Sequence, residues 1–405
     1  MPDSFVFRSP TRLVFGPGSL SQIAAEGRAA APGARKVLVV TGTGHTLRSA
    51  GLARLRALLE EAGLAVELFA EATSDPPIEL VEACAERIAA SGAGFLVAYG
   101  GGSPIDCAKA ASVHQANAGR GQVGAPHPGA PFRDFLYGKL KLEVPGLPLL
   151  AVPTTAGSGS ETSAAAVTTD RASSSKRGLS SDFFFPRAAI VDPGLQATMP
   201  AELAAATGMD ALTHAVESFA SLNATPLTRA VAAESAALVA RSLERSVRDR
   251  SDAAAGADMA LGSSIVGMAF SQTGLGMVHG FAHPVGARTG VAHGTANAVL
   301  LPYVMEACAE TADGPYARLG EVFAAAAEPG VLDPRAPAAE KAAYALDFVR
   351  RLSRAIGIPG RLRELGVPRE ELPGILADAI GYRGRGSSPR AFTDAELGVL
   401  LERAY

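Results

Sequence analysis

The chain has little cysteine: Cys84, Cys107 and Cys308 are odd in number and far apart. That argues against a disulfide framework and predicts reduced thiols in a cytoplasmic protein. It has no excess of either charge, with 37 Lys and Arg against 40 Asp and Glu and a formal net charge of −3. A nucleic acid or an anionic membrane therefore finds no electrostatic footprint. No apolar run approaches the ~20 residues of a membrane span. The opening MPDSFVFRSPTRLVFG has no apolar stretch of the signal-peptide kind. Internal repeats and low-complexity tracts are absent. The Gly42-Thr43-Gly44 turn after the first strand fails the dinucleotide fingerprint G-x-G-x-x-G, because position 47 is Leu. What remains is 405 residues, 48% hydrophobic and 19% charged, enough for about two domains and a large core without a structural metal.

The first half alternates between two textures. KVLVV (36–40), AVELF (65–69) and FLVAY (95–99) read as strands, separated by helical spacing over 47–62 and 78–90. Asp75 is the expected cap of the second helix. LPLLAVP (147–153) and AAIVD (188–192) add strands, and residues 117–130 read as an exposed loop. Strand and helix in alternation predict a parallel α/β sheet with helices on its faces. After Pro200 the composition turns to Ala, Leu, Met and Glu, which predicts long helices. The expected division is an α/β domain over 1–197 and an all-α domain over 198–405.

Two small-residue runs follow strands. Gly100-Gly101-Gly102-Ser103-Pro104-Ile105-Asp106 enters a helix directly. Glycines let backbone N–H groups approach a phosphate closely, and the helix N-terminus adds partial positive charge. A tight strand-to-helix turn without ligand would use the same residues. Pro153-Thr154-Thr155-Ala156-Gly157-Ser158-Gly159-Ser160-Glu161 offers hydroxyl donors for phosphate or ribose oxygens. It does not match G-x-S-x-G, so it gives no hydrolase nucleophile elbow.

Four of the seven histidines fall within 80 residues, with an aspartate one helical turn before the first. They form Asp210-x-x-x-His214, His279-x-x-x-His283 and then His293. A lone histidine reads as a hydrogen-bonded core residue. Four grouped with a carboxylate read as a metal site with an open position. At least one of the five candidates is a non-ligand, and spacing does not say which. Imidazole with carboxylate suits iron(II), zinc, cobalt or nickel.

Taken together, these motifs resemble those of the iron-containing (group III) alcohol dehydrogenase family over nearly the whole chain. The matching segments are FRSPTRLVFGPGSL, GGGSPIDCAK (100–109), PTTAGSGSE (153–161), KRGLSSDFFFPRAAIVDPGL, ATGMDALTHAVE and GLGMVHGFAHPVGA with HGTANAVLLP. The resemblance implies a dehydroquinate synthase-like architecture: an α/β N-terminal dinucleotide-binding domain with a parallel sheet and an all-α C-terminal metal-binding domain. It implies Asp210, His214, His279 and His293 as ligands of a divalent metal, Fe2+ first and Zn2+ second. His283 becomes the non-ligand histidine near the nicotinamide, a candidate proton carrier. Gly101, Gly102 and Ser103 resemble the pyrophosphate binders, within a signature that includes Asp106. Thr154, Thr155, Ser158 and Lys176 resemble further cofactor contacts.

One departure bears on the cofactor. Where many NAD-preferring members have an aspartate after the first strand's VVT, this chain has Gly42. An adenosine 2′-phosphate meets no negative charge there, so NADP(H) is expected to be accepted beside NAD(H). The implied activity is metal-assisted hydride transfer between a small alcohol or aldehyde and NAD(P), by a cytoplasmic homodimer or larger homo-oligomer. The alternatives are a metal-independent reductase resembling maleylacetate reductase, which the presence of Asp210 disfavours, and a dehydroquinate synthase-like lyase. The SSPRAFTDAEL segment and the 117–130 loop depart from the family pattern, so no particular substrate is carried over.

Overall fold

Six short apolar runs become the strands of one parallel sheet. The computed structural model describes residues 4–119, 124–173, 175–309 and 313–405. They pack as two compact units. The α/β unit is Ser9–Thr155 with Ser160–Gln196. The helical unit is Ala197–Tyr405 together with Ala156–Gly159 and the described residues up to Arg8.

The α/β unit runs β1 (Arg12–Phe15), α1 (Ile23–Ala30), β2 (Lys36–Gly42), α2 (Ala50–Glu61), β3 (Ala65–Ala72) and α3 (Ile78–Ser91). It continues with β4 (Phe95–Gly100), α4 (Gly102–Ala118), α5 (Phe132–Leu136), β5 (Leu149–Pro153), β6 (Ala165–Asp170), β7 (Ser175–Ser180) and β8 (Ala188–Val191). Sheet order is β1-β8-β5-β4-β2-β3, parallel throughout. Central strands are buried on both faces, which is why β2 and β4 are continuous apolar runs rather than alternating ones. Leu38, Val40, Leu96 and Ala98 pack with α3 and α4 on one face. Val37, Val39, Phe95 and Val97 pack with Leu52, Leu55 and Leu59 of α2 on the other.

The strand order fixes where a ligand site forms. β2 leads through α2 to β3 on its outer side, whereas β3 leads through α3 back to β4 on its inner side. The connections diverge between β2 and β4, and ligands of open α/β sheets bind outside the carboxyl ends of the strands at such a point. Gly42 ends β2, Gly100 ends β4, and Thr41 is in register with Tyr99.

The structure differs from the sequence reading in four places. Asp75 does not cap α3. The N-cap is Pro77, and Asp75 sits two residues earlier in a left-handed conformation, φ 51°. The helix expected from residue 47 begins at Ala50, because Ser49 Oγ accepts from the Leu52 N–H at 3.2 Å and sets the start. The expected loop at 117–130 overlaps α4, which runs to Ala118; residues 120–123 lie outside the described residues. The antiparallel β6–β7 hairpin was not expected: AAVTTD and SKRGLS are too polar to read as strands.

The helical unit contains α6 (Ala201–Ala220), α7 (Pro226–Arg248), α8 (Ala253–Thr273), α9 (Met277–Thr289) and α10 (His293–Ala309). After these come α11 (Asp313–Ala327), α12 (Ala338–Ala355), α13 (Leu372–Ile380) and α14 (Asp394–Ala404). Its core joins Met209, Leu212 and Val216 of α6 to Val239 and Leu243 of α7, Met259 and Val266 of α8, and Val299 and Leu300 of α10. Among the described residues α8 alone is long and apolar enough to cross a membrane. It lies in this core beside α6 and α7, and core burial accounts for its apolarity.

Candidate metal centre and nucleotide turn

α6 is buried on almost every side, yet it carries Asp210, His214 and Glu217 at 6%, 5% and 8% exposure. Positions i, i+4 and i+7 share one helical face, so the three polar groups form a single stripe through an apolar core. Polar groups that deep must be paired or hold an ion. Two helix starts supply the partners. His279 lies in the first turn of α9 and His293 is the first residue of α10.

Of the four predicted ligands, Asp210, His279 and His293 have donor atoms within 4.8 Å of one another, and His214 adjoins Asp210 and His279. Asp210 Oδ1 is 3.8 Å from His214 Nε2, 3.9 Å from His279 Nε2 and 3.7 Å from His293 Nε2. Nε2 atoms of His214 and His279 are 3.1 Å apart with the rings stacked. Around a cation with bonds of about 2.1 Å, tetrahedral ligand atoms stand about 3.4 Å from one another. The donor set therefore fits a divalent ion, on a further observation as well. His279 Nδ1 donates to Glu217 Oε2 at 2.6 Å, and His214 Nδ1 donates to the Gly157 carbonyl at 3.2 Å. With both Nδ1 hydrogens engaged, two Nε2 lone pairs face each other, and a cation between them resolves the repulsion.

His283 stands beside this group. Its ring stacks on His293 at 5.3 Å between centroids and meets His279 and Tyr382 edge-on at 5.7 Å each. Sequence reasoning missed two residues here. Asn297, one turn after His293, donates from Nδ2 to Asp210 Oδ1 at 2.7 Å and lies 3.1 Å from His279 Nε2. Glu217 holds His279, and its other oxygen accepts from the Val278 N–H at 2.8 Å. Burial pushes the Glu217 carboxyl up to about 7, against the pull of the Val278 and Gly276 N–H groups. The available signal was its spacing from Asp210 on an alanine-rich, almost wholly buried helix.

In the α/β unit the glycine turn is built as expected. Gly101 is the N-cap of the 17-residue α4, no side chain caps that helix end, and no acidic residue lies in its first turn. A Cβ on Gly101 would stand 3.2 Å from Thr155 Oγ1, so the two small-residue runs approach closely. The Thr154 N–H donates to the Gly100 carbonyl at 2.9 Å. Ser103 Oγ accepts from the Asp75 N–H at 3.1 Å, and Asp75 pairs with Lys176, which is 5% exposed. Asp106 faces inward: its oxygens accept from Ser160 Oγ and from the Val167 N–H at 2.9 Å. Ser158 belongs to the short segment that packs with the helical unit. Gly42 has room for a side chain, with the nearest atoms 3.4–3.7 Å from a Cβ built there, Pro104 Cγ among them.

Residues 10–193 match the family described as iron-containing alcohol dehydrogenase, and residues 204–405 match the Fe-containing alcohol dehydrogenase family, C-terminal. The chain belongs to the iron-containing alcohol dehydrogenase family. It is 35% identical over 374 residues to a lactaldehyde reductase of Escherichia coli, spanning 92% of this chain and 93% of that one. It is 34% identical to an NAD-dependent methanol dehydrogenase of Bacillus methanolicus, spanning 98% and 99%. A solved 1,3-propanediol oxidoreductase superposes with TM-score 0.89 at 32% identity, covering 99% of this chain and 100% of that one. The α/β-plus-helical fold is the family's, and the chain is an oxidoreductase of the iron-containing alcohol dehydrogenase kind. These matches favour the metal-dependent reading over the maleylacetate reductase and dehydroquinate synthase alternatives.

Proposed function

We propose that the chain interconverts a small alcohol and its aldehyde, with Asp210, His214, His279 and His293 holding iron(II), or zinc in its place. The observation that carries this is the pair of Nε2 atoms facing each other at 3.1 Å beside Asp210 Oδ1, with both Nδ1 positions already engaged. When bound, the metal supplies a Lewis acid for the reacting oxygen and the nicotinamide accepts or returns hydride.

The chain's own residues do the rest. Asp210 offers the one carboxylate of the ligand set and is oriented by Asn297. His283 stacks on His293 and is the proton carrier of this reading. Gly101, Gly102 and Ser103 present the open N–H groups of α4 to the pyrophosphate. Thr154, Thr155 and Ser158 contact the cofactor further along. Lys176 bears on Ser103 through Asp75, and Asp106 braces the turn from within. Gly42, with space and no charge, admits the 2′-phosphate of NADP(H) as well as NAD(H). The reading includes a cytoplasmic location, in keeping with three buried free cysteines, and a homodimer that light scattering would detect.

The test is a panel of small alcohols and aldehydes with NAD(H) and NADP(H), followed at 340 nm, using metal-stripped protein alone or reloaded with iron(II) or zinc. Metal-dependent turnover of at least one alcohol–aldehyde pair supports the assignment. Full activity without metal, or no net change in reduced cofactor with any substrate, overturns it. For His283, the H283A variant should keep its metal and lose activity in a pH-dependent way; full activity across pH would remove its proposed role.

A further inference from the structure

Glu217 stands outside the ligand set, yet it is tied to that set by a short, buried hydrogen bond to His279. Its Oε2 accepts from His279 Nδ1 at 2.6 Å. Its Oε1 accepts from the backbone N–H of Val278 at 2.8 Å, and the N–H of Gly276 also pulls on the carboxylate. Those groups are the start of α9, whose N-cap Gly276 has no side chain of its own to cap with. Gly276 is also shaped for this carboxylate: a Cβ there would lie 3.0 Å from Glu217 Oε1 and 3.0 Å from Ser388 Oγ. The carboxylate of one helix thus closes the first turn of another and, with its second oxygen, grips the histidine on that turn.

We infer that Glu217 is a positioning residue that locks His279 in the Nδ1–H tautomer and so sets the affinity of the site for its divalent metal. The inference rests on Asp210, His214, His279 and His293 being the ligands. A ring that donates from Nδ1 has its lone pair on Nε2, the atom that faces His214 and Asp210. A ring with the opposite tautomer directs an N–H at the same place and cannot ligate. Hydrogen bonding to a carboxylate also fixes the ring's orientation and raises its basicity as a ligand. His214 is held in the same tautomer by a backbone carbonyl, a weaker acceptor than a carboxylate, so His279 is the ligand whose state depends on a single replaceable side chain.

The decisive variant is Glu217→Gln, which keeps shape and length. Its carbonyl oxygen can still accept from Gly276 and Val278, so the helix start is preserved. Its amide then turns a donor toward Nδ1, which must become an acceptor, and the imidazole proton moves to Nε2. Zinc and cobalt(II) dissociation constants would be measured by chelator competition on the full chain, with nitrogen-15 spectra of histidine-labelled, metal-free protein. The expected result is metal affinity lower by about 10–100-fold, one histidine switched from Nδ1–H to Nε2–H, and an unchanged circular dichroism spectrum. Glu202→Gln, exposed at the start of the same helix, should leave all three readouts unchanged.

If Glu217→Gln does not fold, Gly276→Ala displaces the carboxylate without removing it and should weaken zinc binding to a smaller degree. Wild-type affinity and tautomer in Glu217→Gln, or wild-type affinity in Gly276→Ala where that variant stands in, overturns the inference. Failure of the wild-type protein to bind zinc or cobalt overturns the ligand assignment instead, so the two are told apart.

Discussion

Lys109 is 1% exposed, and Lys109→Met is the substitution whose effect the structure bounds best. Its ammonium donates to the carbonyls of Ser160, Ser163 (3.0 Å) and Ala165 (2.9 Å). Asp106 and Glu161 supply the opposing charge, while burial pulls the Lys109 pKa down to about 8. The Ser160–Ala165 arm begins within the Pro153–Glu161 run, so the lysine of the first small-residue motif anchors the end of the second. Methionine matches the length and apolar stem but leaves three carbonyls and Asp106 behind. Each charge-assisted bond contributes about 1.5–3 kcal/mol. The desolvation of the ammonium offsets much of that total, and removing one partner of a buried charged cluster costs about 3–5 kcal/mol net. In a domain of this size that lowers Tm by about 6–20 °C. Urea unfolding and calorimetry measure the first effect. Fluorescence titration with NADH and NADPH measures the second, a loss of affinity of about tenfold, or about 1.4 kcal/mol. A Lys109→Met protein within 1 kcal/mol of wild type (about the net worth of one neutral hydrogen bond) that also binds cofactor normally would refute the anchoring argument.

Chelation should abolish turnover and lower Tm; metal held at a thousandfold above its dissociation constant contributes about 4 kcal/mol, and scanning calorimetry with and without zinc checks it. In the metal-free protein, the contribution of Glu217 to stability should fall as pH rises. The Glu217 carboxyl is raised in the folded state from 4.5 to about 7, so its contribution is fully present below pH 4.5 and lost as pH climbs through 7. The difference is about 3 kcal/mol, read as the gap between wild-type and Glu217→Gln unfolding curves at pH 5 and pH 8; a constant gap would contradict it. Gly42→Asp should shift the ratio of kcat/KM values toward NAD by about tenfold or more through like-charge repulsion of the 2′-phosphate. An unchanged ratio would mean that the 2′ position lies elsewhere.

The α/β half was legible because buried parallel strands must be continuous apolar runs, and KVLVV, FLVAY and LPLLAVP are such runs. The metal cluster was legible because histidine is scarce and helical spacing puts Asp210 and His214 on one face. Pairing of distant segments was not legible. Glu217 is one of many glutamates until α9 starts against it, and Asn297 is a helix residue until its amide meets Asp210 at 2.7 Å. Asp75 looked like a helix cap, and only the fold of the β6–β7 hairpin brings Lys176 to it. Asp106 reads as part of a cofactor signature, whereas its bonds to Ser160 and Val167 arise from a chain that returns more than 50 residues later. The sequence by itself determined which side chains could do chemistry and what elements carry them, because residue type and local periodicity are properties of single segments. Tertiary structure decided which of these groups meet and which distant partners hold them, because hydrogen-bond partner and burial are set by contacts between segments far apart in the chain.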